Sequence, residues 1–150
     1  MGRFPFFDLT RQYQTIKNEI QPVILSLFER QSFVMGEEVT NLEFELAQYM
    51  GVKHTITCSS GTDALVLALK ALGIGPGDQV ITPAFSFFAS TSSILLTEAR
   101  PVFADIDAET FNIDVKNLEK AMNKNVKAIM PVHLFGQCAD MELVMAFAQK

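Results

Sequence analysis

The sequence has 150 residues, 49% of them hydrophobic and 19% charged, which suits a domain with a sizeable core and excludes a disordered or tail-like chain. A formal net charge of −5 argues against nucleic acid as a partner, because a phosphate backbone selects a basic face. The two cysteines, Cys58 and Cys138, form neither a CxxC pair nor a metal-ligand spacing, and only two histidines are present, so a reducing cytoplasm and no metal site are expected.

The first dozen residues lack the apolar core of a signal peptide, and Phe6 stands where a myristoylation signal needs Ser or Thr. No stretch approaches the roughly 20 apolar residues of a membrane span, so no membrane partner is expected. Apolar residues from Tyr13 to Phe28 recur at three- and four-residue spacing, which predicts a helix over 9–31 interrupted near Pro22. A second helix follows within 33–51, with Val39, Leu42, Leu46 and Tyr49 on one face and Gly51 as its stop. A regular alternation then begins. "HTITCS" (54–59) reads as a strand, "TDALVLALKAL" (62–72) as a helix ended by Gly73, and "GIGPGD" (73–78) as a turn. "QVITP" (79–83) and "RPVFADID" (100–107) are strands on either side of a helix in "FFASTSSILLTE" (87–98). A helix over 115–123 capped by Asp114, a strand over 126–134 and a helix over 141–150 capped by Asp140 complete the pattern.

Four strand-then-helix units in succession predict an α/β fold, a mainly parallel sheet with helices on both faces. Ligands of such sheets sit outside the carboxyl ends of the strands, at segments 59–63, 83–88, 105–112 and 133–140. The first of these, "SSGTD", runs into an apolar helix and has two readings. Ser60, Thr62 or Asp63 caps the first turn while Gly61 makes the bend, or the free N–H groups and the helix dipole hold an anion. Neither GxxxxGK[ST] nor GxGxxG is present. Phe85, Phe87 and Phe88 crowd the second segment, where at least one is expected in the core and another can offer a flat face to an aromatic ligand. His133 is either a polar site residue or a hydrogen-bonded structural one, and Asp105 and Asp107 read as a solvated loop. No GxSxG appears, which removes support for a nucleophilic hydrolase.

Five stretches occur together in order: "FFDLTRQY" (6–13), "GEEVTNLEFELAQYMGVKH" (36–54), "SSGTDALVLALKALGIGPGDQVITPAFSFFAS" (59–90), "PVFADIDAETFNID" (101–114) and "KAIMPVHLFGQCADM" (127–141). Over nearly its whole length the chain thereby resembles the N-terminal part of the DegT/DnrJ/EryC1/StrS family of sugar aminotransferases. That resemblance implies the aspartate aminotransferase fold, with 1–35 as an N-terminal helical segment and 36–150 as the first, incomplete part of the domain that binds pyridoxal 5'-phosphate. It implies amino transfer, from a donor such as glutamate, to a nucleotide-linked keto sugar, in a homodimer. A sugar dehydratase of the same family and a non-catalytic fragment needing a C-terminal remainder are the alternatives. Residue by residue, the resemblance puts the cofactor phosphate on the Thr62 side chain and the backbone N–H groups around Thr62 and Asp63, with Gly61 admitting it. The ring-stacking aromatic falls on Phe87, leaving Phe85 and Phe88 to pack. The Schiff-base lysine and the carboxylate for the ring nitrogen are expected beyond Lys150. Lys53, Lys70, Lys116 and Lys127 match no family lysine, so no catalytic residue is assigned here.

Overall fold

A computed structural model of the chain describes residues 5–149. The leader and acylation readings rest partly on residues 1–4, and the final residue of the last predicted helix is Lys150; both lie outside that range. The described chain forms two compact units, Met1–Thr57 and Cys58–Lys150.

The first unit holds α1 (Thr10–Arg30) and α2 (Glu37–Met50). The break expected near Pro22 is absent, and α1 runs through it. Proline removes one i→i−4 hydrogen bond, yet its fixed φ is itself helical, so the rest of the ladder can carry the helix past it. Gly51 ends α2 in the left-handed conformation (φ 64°), with the Gly51 and Val52 N–H groups donating back to Gln48 and Ala47. The strand expected over 54–59 does not form. Instead Glu43 on α2 accepts from the Thr57 N–H at 2.8 Å and the Thr57 hydroxyl at 2.9 Å, while the Thr55 hydroxyl donates to the Glu43 carbonyl. A strand exists only when a neighbour takes its N–H and C=O groups, and among the described residues this segment has no ladder partner.

The second unit is a three-stranded parallel sheet in the order β2-β1-β3, built from β1 (Gln79–Pro83), β2 (Arg100–Ala104) and β3 (Val126–Ile129). Successive side chains of β1 point to opposite faces. Val80 packs with Leu69 of α3 (Gly61–Ala71) and Ile94 of α4 (Ala89–Leu96). Ile81 packs on the other side with Leu118 of α5 (Val115–Ala121) and Val144 of α6 (Met141–Ala148). Burial under helices on both faces explains the continuously apolar strand. Asp114 and Asp140 cap α5 and α6 as expected, accepting from Lys116 N–H and Leu143 N–H at 2.9 and 3.0 Å. Gly73 (φ 73°) ends α3, and Gly77 (φ 90°) completes the surface turn that leads into β1. Among the described residues, no helix is long and apolar enough to cross a membrane.

Candidate functional site

The order β2-β1-β3 means that the chain leaves β1 in one direction and returns to its other side, so the sheet reverses between β1 and β3. Crevices open at such a reversal, beyond the carboxyl ends of the strands. A cleft of about 450 Å³ lies there. Ser86 and Phe87 follow β1 into it, Met130, Pro131 and Val132 follow β3, and Gly61, Thr62 and Leu65 bring the start of α3. The adjacent Gly61 and Thr62 and the sequence-distant Phe87 therefore face one space.

The start of α3 is capped as the first reading of its motif expects, and the cap leaves room for the second. Ser60 is the N-cap, its Oγ accepting from the Asp63 N–H at 3.1 Å. That uses one donor of the first turn. The N–H groups of Gly61 and Thr62, the first two helical residues, have no intrahelical acceptor by helical geometry, and they stand at the positive end of the helix dipole. Gly61 does not make a bend, since its φ lies outside the left-handed region; a Cβ there would meet nothing within 4 Å, so the glycine leaves open space. Asp63 is not among the cleft-lining residues. Its carboxylate accepts from the Ser59 and Ser60 hydroxyls, and these two bonds hold its pKa below the usual carboxylate range.

Phe87 is 77% exposed and gives the cleft a flat, uncommitted aromatic face. None of Phe85, Phe87 and Phe88 enters the core, contrary to expectation. The segment 84–88 crosses the end of the sheet rather than lying under a helix. Phe85 packs instead against Phe111 and Phe135, with ring centroids 6.0 and 6.4 Å away. Phe88 is exposed and immediately precedes α4. His133 is held structurally, its Nδ1 accepting from the Ala139 N–H at 3.0 Å. Asp107 organises the 105–113 turn by accepting from the Glu109 and Thr110 N–H groups and the Thr110 hydroxyl. Among the described residues, no group of three His, Cys, Asp or Glu side chains is placed to hold a metal ion.

Sequence reading placed Ser86 in an expected ligand-binding segment but missed the Met130–Val132 wall. No sequence signal could have found it, because only the spatial order of the strands says which two loops become neighbours.

Residues 14–150 match the DegT/DnrJ/EryC1/StrS aminotransferase family. The chain belongs to that family. A "pleiotropic regulatory protein" of Geobacillus stearothermophilus is 48% identical over 97% of the chain, which spans 39% of that relative. UDP-2-acetamido-2-deoxy-3-oxo-D-glucuronate aminotransferase of Pseudomonas aeruginosa is 45% identical over 97% of the chain and 40% of its own length. DesV from S. venezuelae, solved in complex with a ketimine intermediate, superposes with a TM-score of 0.94 at 36% identity, covering 99% of this chain and 40% of DesV. The chain thus spans about 40% of the length of such members of the DegT/DnrJ/EryC1/StrS family. Solved relatives include forms with PLP and with PMP, that is, pyridoxal phosphate and its pyridoxamine counterpart.

The lining residues fit that group. Two amide N–H groups without intrahelical acceptors and a threonine hydroxyl suit a phosphate, while Phe87, Leu65, Met130 and Val132 suit a flat, largely apolar ring.

Proposed function

We propose that the polypeptide containing this chain transfers an amino group, from a donor such as glutamate, to a nucleotide-linked keto sugar with pyridoxal phosphate as cofactor. The observation that supports this most is the convergence of Gly61, Thr62 and Phe87 on one cleft at the sheet reversal. The Gly61 and Thr62 N–H groups and the Thr62 hydroxyl hold the phosphate, and the Asp63 N–H, shared with Ser60, closes the same turn. Phe87 would offer its flat face to the pyridine ring and restrict its tilt, the orientation that bond breaking next to the ring needs. Pyridoxal phosphate, when bound, supplies the electron sink for removing the proton next to nitrogen. The lysine that carries that proton and the carboxylate that pairs the ring nitrogen are contributed from after Lys150. The active protein is a cytoplasmic homodimer.

The test uses the full polypeptide, pyridoxal phosphate, glutamate and a UDP-linked 3-keto sugar. The expected products are the amino sugar nucleotide and 2-oxoglutarate, in equal amounts by mass spectrometry. Bound cofactor with no glutamate-dependent conversion across UDP-, dTDP- and GDP-linked keto sugars overturns amino transfer. Loss of a sugar hydroxyl in its place selects the dehydratase reading. Failure to retain pyridoxal phosphate overturns the site assignment itself.

A further inference from the structure

Phe87 can work as a stacking face only if the segment 84–88 is held still. Phe85, Phe87 and Phe88 are all exposed; the Ala84 N–H donates to the Ala104 carbonyl at 2.9 Å and anchors the start, and the Ser90 and Ser92 N–H groups hold the Phe87 and Phe88 carbonyls at the end. The hold on Phe85, between those anchors, comes from outside. Phe85 is gripped between Phe111 and Phe135, which also touch each other with centroids 6.3 Å apart. Both partner rings sit on residues in the left-handed conformation, φ 59° for Phe111 and 56° for Phe135. A phenylalanine adopts that conformation only where its surroundings impose it.

One buried side chain ties together the two segments that carry these rings. Asn112 is 3% exposed and follows Phe111 directly. Its Nδ2 donates to the carbonyls of Gln137 and Cys138 at 3.2 and 3.4 Å, and its Oδ1 accepts from the Leu134 N–H at 3.2 Å. These bonds bracket Phe135 on both sides and tie the 134–138 loop to the segment carrying Phe111. Without Asn112, three backbone groups of that loop lose their partner, and nothing else described joins the two rings' backbones.

Resting on the reading that the cleft holds a pyridoxal ring against Phe87, we infer that Asn112 is a positioning residue, which sets the Phe111–Phe135 grip on Phe85 and through it the pose of Phe87. It touches neither cofactor nor substrate; it acts through two rings and one short loop.

The test uses the full polypeptide and two variants. Asn112→Leu removes all three loop bonds while keeping the forked heavy-atom shape. Phe135→Ala removes one gripping ring and leaves Asn112 bonded; this ring is largely exposed, so the variant folds even if the first does not. Hydrogen exchange is followed at residues 84–90, where the Ala84 and Ser90 N–H groups are bonded to Ala104 and Phe87 carbonyls. Each variant is expected to speed exchange there at least fivefold. With pyridoxal phosphate bound, its visible circular dichroism per bound molecule, which reports ring orientation, is expected to fall to less than half. The double variant is expected to be no worse than Asn112→Leu, because both act on one path. Unchanged exchange over 84–90 in Phe135→Ala overturns the inference. So does faster exchange with an unaltered dichroic band, since a purely structural role loosens the loop and leaves the bound ring's orientation alone. A wild-type protein that takes up no pyridoxal phosphate defeats the proposed function instead, and the exchange measurements still decide the grip.

Discussion

Thr62 and Phe87 bring different chemistry to the cleft they line, one a hydroxyl and the other an exposed aromatic face. Thr62→Val keeps the shape and removes a charge-assisted hydrogen bond, so cofactor binding is expected to weaken by about 1.5–3 kcal/mol. Phe87→Ala is expected to weaken it by about 0.5–1.5 kcal/mol, the worth of an aromatic pair, together with lost burial. Titration of the full polypeptide with pyridoxal phosphate measures both, and parental affinity in both variants overturns the assignment. Asp63 makes a prediction in pH. The Ser59 and Ser60 hydroxyls depress its folded pKa below the ordinary 3.8, so the ion adds stability above the unfolded value and that increment is lost as pH falls through the folded one. The melting temperature should therefore fall more steeply with acidification below about pH 4 in the parent than in Asp63→Asn. Parallel curves from thermal melts would sink this assignment. That Thr62 and Phe87 stand near the strand ends was readable because each belongs to a contiguous motif. Asn112 was not, because a buried amide that bridges to residues 22 to 26 positions away leaves no periodic trace in sequence.

The helices of the second unit followed from their apolar spacing, caps and glycine stops, which are local properties; its outer strands start where expected but end at Ala104 and Ile129, short of the expected 107 and 134, where the ladder to β1 stops. The 54–58 segment shows what local properties leave out: β-branched residues favour an extended backbone, but a ladder needs a second strand. Pro22 makes the complementary point, since one missing N–H does not outweigh a helix whose remaining turns are intact. Two substitutions test the elements directly. Leu118 on α5 is fully buried beside Ile81, and Leu118→Ala should cost about 2–5 kcal/mol through lost contacts and a residual cavity. Gly73 holds φ 73°, where an L side chain is strained, so Gly73→Ala should cost about 1–2 kcal/mol. Urea melts of the full polypeptide read both. A Gly73→Ala variant as stable as the parent would mean that α3 does not need this stop.

At the scale of the whole chain, the two units differ in how much they bury. Leu69, Ile81, Ile94 and Leu118 make closed cores against the sheet, whereas α1 and α2 contain no buried residue. Tyr49, Ile56 and Phe44 lie open in the first unit. Apolar surface on this scale marks a face built to be covered. Residues 1–150 expressed alone are therefore expected to lack a sharp cooperative transition and to bind a hydrophobic dye. A single cooperative unfolding step, coincident by near- and far-ultraviolet dichroism in a monodisperse 16.7 kDa species, overturns this expectation. The parallel sheet was legible from the strand–helix alternation, but the placement of β1 at its centre was not, because alternation fixes the sequence of strands and leaves their spatial order open.

That central placement has a consequence for the order of events on the ribosome. A nascent chain emerges from its N-terminus, at roughly 5–20 residues per second. β1 emerges before either of its neighbours, and both β2 and β3 then add to an edge that already exists. The three-stranded sheet can thus be complete within seconds of Ile129 leaving the exit tunnel, with each new strand docking on a finished template. The 54–58 segment leaves the tunnel earlier still, and none of the residues described here gives it a ladder. Throughout the sheet's assembly Ile56, 85% exposed, therefore stays open to solvent, one of several apolar side chains, Val34 and Tyr49 among them, that are already out of the tunnel.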